Sequence, residues 1–106
     1  MIYLTAETKI LLAIEPVNFR KQIDGLVALC EEQLNEDPRS AKLFVFINRA
    51  RTMIRALQYQ DNGYWLATKR LSRGRYPYWP KEDGVVRSLV SSELMRILKA
   101  ELAYAS

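Results

Sequence analysis

The chain has 106 residues, 49% apolar and 26% charged, the balance of an ordinary globular protein with enough length for one modest core. It holds no histidine and a single cysteine, Cys30, which excludes an internal disulfide, a zinc site built from Cys and His, and any nucleophile activated by histidine. The net charge of +4 is unevenly placed: residues 42–75 carry eight Lys or Arg against Asp61 alone, a net +7, so the rest of the chain nets −3.

In chain order, "KILLAI" (9–14) reads as a short buried strand that Pro16 stops, and Asn18 is placed to cap the next segment. In "FRKQIDGLVALCEEQL" (19–34), Phe19, Ile23, Leu26, Val27, Cys30 and Leu34 recur at spacings of three and four and form one apolar helical face. Gly25 costs such a helix about 1 kcal/mol relative to Ala, which a close approach of helix to sheet would explain. "EDP" (36–38) ends the element. "KLFVFIN" (42–48) is rich in β-formers and reads as a central strand, followed by a basic turn, "NRART" (48–52).

Residues 53–60 and 64–71 form two further strands around "QDNG", where Asn62-Gly63 is the expected hairpin turn. After Pro80 comes a polar loop, then "VVRSLV" (85–90) as a short strand. "SSELMRILKAEL" (91–102) is a helix capped by Ser91 or Ser92, with Glu93 in its first turn and Leu94, Ile97, Leu98 and Leu102 on its apolar face. The expected architecture is α+β: one domain over residues 1–106 with a small, mostly antiparallel sheet, largely a meander, flanked by two helices. No apolar run exceeds five residues ("ILLAI", "LVALC", "LFVFI"), too short to span a bilayer, and "MIYLTAETK" lacks the features of a secretory leader. With one cysteine, the expected compartment is the cytoplasm, with no membrane partner.

Catalytic patterns are missing from the sequence. The glycines at 25, 63, 74 and 84 form no phosphate-cradling loop. Asp24 and Asp61, the acids in the most defined segments, have no reason to converge on a metal. No residue is assigned to catalysis, to a metal or to a cofactor. The positive signal is basic and aromatic. "KRLSRGRYPYWP" (69–80) packs four cations and three aromatics into twelve positions without an acid, and six of the eight cations in residues 42–75 are Arg, the residue suited to phosphate. A polyanion, and nucleic acid first of all, is the partner this implies. The candidate contacts are Arg49, Arg51, Lys69, Arg70, Arg73 and Arg75 on phosphates, with Tyr76 or Trp79 stacking on bases or sugars. The competing reading folds Tyr76 and Trp79 back onto the edge of the core.

The order and spacing of "PVNFRKQIDGL", "DPRS", "LFVFINRART" and "GYWLATKRLSRGRYPYWP" resemble the small accessory protein encoded by the second reading frame of insertion-sequence-66 elements. It is often labelled "TnpB", though it is unrelated to the RNA-guided nuclease of that name. The resemblance covers about residues 8–98. Arg20, Lys21, Asp24 and Gly25 match its first block, Asn48 and Arg49 its basic turn, and Gly63, Lys69, Arg70, Leu71, Gly74, Arg75, Trp79 and Pro80 its last. Departures are Gln22 and Ala41 where the family usually has Gly, Ala50 within a basic run, "QDNG" for "DG.G", and the ending "KAELAYAS".

The resemblance implies a non-catalytic role in transposition beside a separate, larger transposase. Three readings stand. The first is an accessory factor that binds DNA with weak sequence preference, a dimeric β-ribbon reader being the exception. The second is an interaction module that recruits or stabilises the transposase without touching DNA. The third is a small, basic, metal-free ribonuclease of toxin type.

Overall fold

The computed structural model describes residue 2 and residues 4–100. Its elements are β1 (Ile10–Ala13), α1 (Ile23–Glu32), β2 (Leu43–Ile47), β3 (Met53–Gln60), β4 (Gly63–Arg70), β5 (Val86–Leu89) and α2 (Ser91–Lys99). The strands form one sheet in the order β4-β3-β2-β1-β5. The β2-β3-β4 meander is antiparallel as expected, and β5 runs antiparallel to β1. β1 pairs with β2 in parallel, Ile10 opposite Leu43, because α1 carries the chain back to the starting end of the sheet. The fold is α+β, with a mixed sheet that is mostly antiparallel.

Both faces of the sheet are covered, which accounts for β2 being apolar at every position rather than at alternate ones. On one face, Phe44, Phe46, Leu57 and Ala13 pack against Leu26, Leu29 and Cys30 of α1. On the other, Ile10, Leu12, Leu43, Val45, Ile47 and Ile54 meet Leu94 and Ile97 of α2 together with Tyr76 and Trp79. The 71–80 segment therefore completes the second layer.

Four local expectations shift. Residues 19–22 are a turn rather than the first turn of α1, and Asn18 folds it: its side-chain oxygen accepts the Arg20 N–H at 2.9 Å and its carbonyl accepts the Lys21 N–H at 3.1 Å. The tight neighbour of Gly25 is Lys21, not the sheet, since a Cβ there would lie 2.9 Å from the Lys21 Cβ. The hairpin closes on Gln60 and Gly63, so Asp61 and Asn62 make the turn, with positive φ at Asp61 alone. At α2 the cap is Val90, which has no acceptor, so neither Ser91 nor Ser92 caps; Glu93 reaches back to accept the Val90 N–H at 3.2 Å. The Ser91 hydroxyl donates instead to the Thr5 carbonyl. Leu102, expected on the α2 face, lies outside the described residues. Among the described residues, no helix is long and apolar enough to cross a membrane.

Candidate nucleic-acid interface at one end of the sheet

β1 and β2 end at the same edge of the sheet, where β3 begins, β4 stops and β5 starts. The segments 14–22, 48–52 and 71–85 therefore emerge together, and the backbone ties them. The Val17 N–H donates to the Ile47 carbonyl at 2.9 Å, the Leu71 N–H to the Thr52 carbonyl at 3.0 Å, and the Tyr76 N–H to the Arg51 carbonyl at 2.8 Å. Asn48 shapes the middle segment. Its side-chain oxygen accepts the Thr52 and Met53 N–H groups at 2.9 and 3.0 Å, and its amide donates to the Thr52 hydroxyl at 3.0 Å. This wraps the loop tightly enough to hold Arg51 at φ +62°.

Five of the eight candidate residues belong to this end: Arg49, Arg51, Arg70, Arg73 and Arg75. Arg49, Arg70, Arg73 and Arg75 are exposed and Arg51 is half-buried, and none of the five makes an ion pair among the described residues. The remaining three are placed otherwise. Lys69 projects to the α2 face and donates to the Leu98 carbonyl at 2.6 Å, closing the C-terminal end of α2. Tyr76 is 1% exposed and Trp79 7%, so neither ring offers a stacking face and both leave the set of contacts. The Trp79 indole N–H is shared between the Ala13 and Ile14 carbonyls, at 3.2 Å each, where β1 ends. Burial raises the pKa of Tyr76, whose hydroxyl reaches the Lys69 carbonyl at 3.4 Å. The two aromatics hold the arginine-bearing segment down onto the sheet. Pro77 and Pro80 restrict the backbone of this segment by fixing their own φ.

The structure adds two cations that the helical periodicity assigned to α1. Arg20 and Lys21 lie in the 14–22 segment, exposed, and Arg20 shares an open groove of about 580 Å³ with Asn48, Arg49 and Arg55. The signal was Asn18, an Asx-turn former as much as a cap. Arg55 itself is a strut. It donates to the Phe19 and Lys21 carbonyls at 2.8 Å each and to the Thr68 hydroxyl at 3.1 Å, with its guanidinium 4.5 Å from the centre of the Phe19 ring. Asp24 opens α1 near this end, whereas Asp61 sits at the hairpin tip across the sheet, so the two do not meet. Cys30 is buried, and its thiol is pushed up to about 12 by burial and then by Glu31 and Glu36, so it stays protonated at neutral pH.

The chain is thus a small α+β protein whose one sheet end groups five arginines over a buried Tyr and Trp. Residues 8–102 match the model of the family described as IS66 Orf2 like protein, and the chain belongs to that family. Membership brings with it a role accessory to transposition of an insertion sequence. Two proteins of Sinorhizobium fredii are similar. "Uncharacterized protein y4jC" is 34% identical over 94 residues, covering 89% of this chain and 79% of that protein. "Uncharacterized protein y4hO" is 31% identical over 74 residues, covering 70% of this chain and 64% of that protein. No solved structure matches.

Proposed function

We propose that the chain serves transposition as a DNA-gripping accessory factor, with Arg49, Arg51, Arg70, Arg73 and Arg75 contacting backbone phosphates and Arg20 and Lys21 extending the same surface. The observation that supports this most is the Tyr76 to Arg51 hydrogen bond, which fastens the two arginine-bearing segments side by side although 25 residues of chain separate them. Unpaired guanidinium groups on a shared, braced edge match the fork geometry of phosphate oxygens. No recognition helix lies among them, so the grip is on the backbone of DNA and the sequence preference is weak. The transposase of the same element is the second partner of such a factor.

The test is binding to duplexes carrying the element's terminal sequence and to scrambled ones, across a salt series. The Arg70→Ala, Arg73→Ala, Arg75→Ala triple variant should bind more weakly, and its log affinity should fall less steeply with log salt, by about 0.9 for each phosphate it no longer neutralises. Equal slopes for wild type and variant, or no binding of either duplex at low salt, would reject the grip and leave the transposase as the partner to assay.

A further inference from the structure

Strand β4 forms one margin of the sheet among the described residues, and nothing described covers its outer edge. Eight consecutive pairs with β3 run from Gln60↔Gly63 to Met53↔Arg70, with no bulge and no proline, and Ala67 through Arg70 are exposed. Edges this long and regular are ordinarily blunted, because their free N–H and C=O groups invite another strand. The parity of those groups is known. The two-residue turn closes on Gly63 as a hydrogen-bonded pair, and the Leu71 N–H still reaches inward to the Thr52 carbonyl. Odd positions therefore bond to β3, and Tyr64, Leu66, Thr68 and Arg70 turn their peptide groups outward.

The side chains on this edge are sorted by charge along its length. Tyr64 and Trp65 stand at its start, Lys69 and Arg70 at its end, and it contains no acid. We propose that β4 pairs antiparallel with β4 of a second copy, about a two-fold axis beside Ala67 and perpendicular to the sheet. Such an axis keeps each face on its own side. It sets Ala67 against its own counterpart, Leu66 against Thr68, Trp65 against Lys69 and Tyr64 against Arg70 of the other copy, with the even positions making the new ladder.

Facing side chains then lie about 4.5–5.5 Å apart at Cβ, within reach of cation–π contact on both faces of the joined sheet. Trp65, 48% exposed in the single chain, gains a cover in the Lys69 stem, which is already directed along the α2 face by its bond to the Leu98 carbonyl. A slip of two residues in either direction sets Lys69 opposite Gly63 or Ala67 and loses both aromatic–cation pairs. Parallel pairing would stack cation on cation. The same charges that repel a foreign basic strand thus select the chain's own copy in one register.

The full-length chain tests this without any ligand. Sedimentation equilibrium between about 1 and 100 µM should reach twice the 12.3 kDa chain mass at the upper end. Ala67→Glu places two carboxylates together on the axis and should weaken association about tenfold or more, and Ala67→Lys should do the same. An equimolar mixture of the two should dimerise again. Ala67 is exposed and makes no side-chain bond, so circular dichroism of each variant should match wild type. A wild type that stays monomeric, an Ala67→Glu variant that dimerises undiminished, or a mixture that fails to re-form the dimer overturns the proposal.

Discussion

Ala41 holds φ at +68° in the turn that leads into β2, a left-handed conformation that costs a residue with a Cβ roughly 1–2 kcal/mol. Its carbonyl accepts the Gln58 side-chain amide at 3.3 Å, so the turn is fixed by a bond to β3 as well as by the strand it starts. A glycine would adopt this conformation without penalty, whereas the alanine stores the strain. Ala41→Gly should raise stability by about 0.5–1 kcal/mol, the relief of strain less the entropy that glycine adds to the unfolded chain. Urea unfolding with an unchanged slope checks it, and a loss of stability would show that the entropy term dominates. Gly25 is the opposite case, because there a Cβ would press on Lys21, whose carbonyl anchors Arg55.

At the scale of elements, Asn48 decides whether the 48–52 segment is a loop with a shape. Three hydrogen bonds leave its side chain, each worth about 1 kcal/mol net. Asn48→Ala should cost about 2–3 kcal/mol in unfolding and weaken DNA binding, since Arg49 and Arg51 lose their fixed positions. Asn48→Asp keeps both acceptor bonds and should retain most of the stability while still weakening DNA binding through its charge. Comparing the two variants by urea melts and by binding separates the shape of the loop from its charge.

The elements differed in how far the sequence disclosed them. β2, β3 and β4 could be read directly, because runs of β-formers and a two-residue turn are local signals. The parallel insertion of β1 between β2 and β5 could not, since pairing partners distant in sequence leave no mark on either strand. The start of α1 was misplaced because Asn18 serves a turn as well as it serves a cap. The arginines were legible as charge, but their grouping at one end depended on which strand ends coincide. Tyr76 and Trp79 were ambiguous for a physical reason: an amphipathic ring beside arginines can stack on a base or close a core, and only the carbonyls left at the end of β1 decided for Trp79.

For the whole molecule, the direction of β4 has a consequence for how DNA would be held. The basic end of the sheet lies where β4 stops, so antiparallel joining of two copies turns their basic ends to opposite sides of one continuous sheet. A dimer of that form holds two duplex segments apart and facing away from each other, which differs from two adjacent half-sites on one duplex. Wild type should therefore bring a donor-labelled and an acceptor-labelled duplex together in a fluorescence transfer assay. The signal should fade when protein exceeds DNA and each duplex is held separately. Ala67→Glu should bind a single duplex within about twofold of wild type, because its carboxylate stands about 10 Å along the strand from Arg70, near one Debye length. The same variant should lose the transfer signal. Bridging that survives Ala67→Glu would mean that each chain grips two duplexes by itself, and would place a second phosphate surface outside the arginine end.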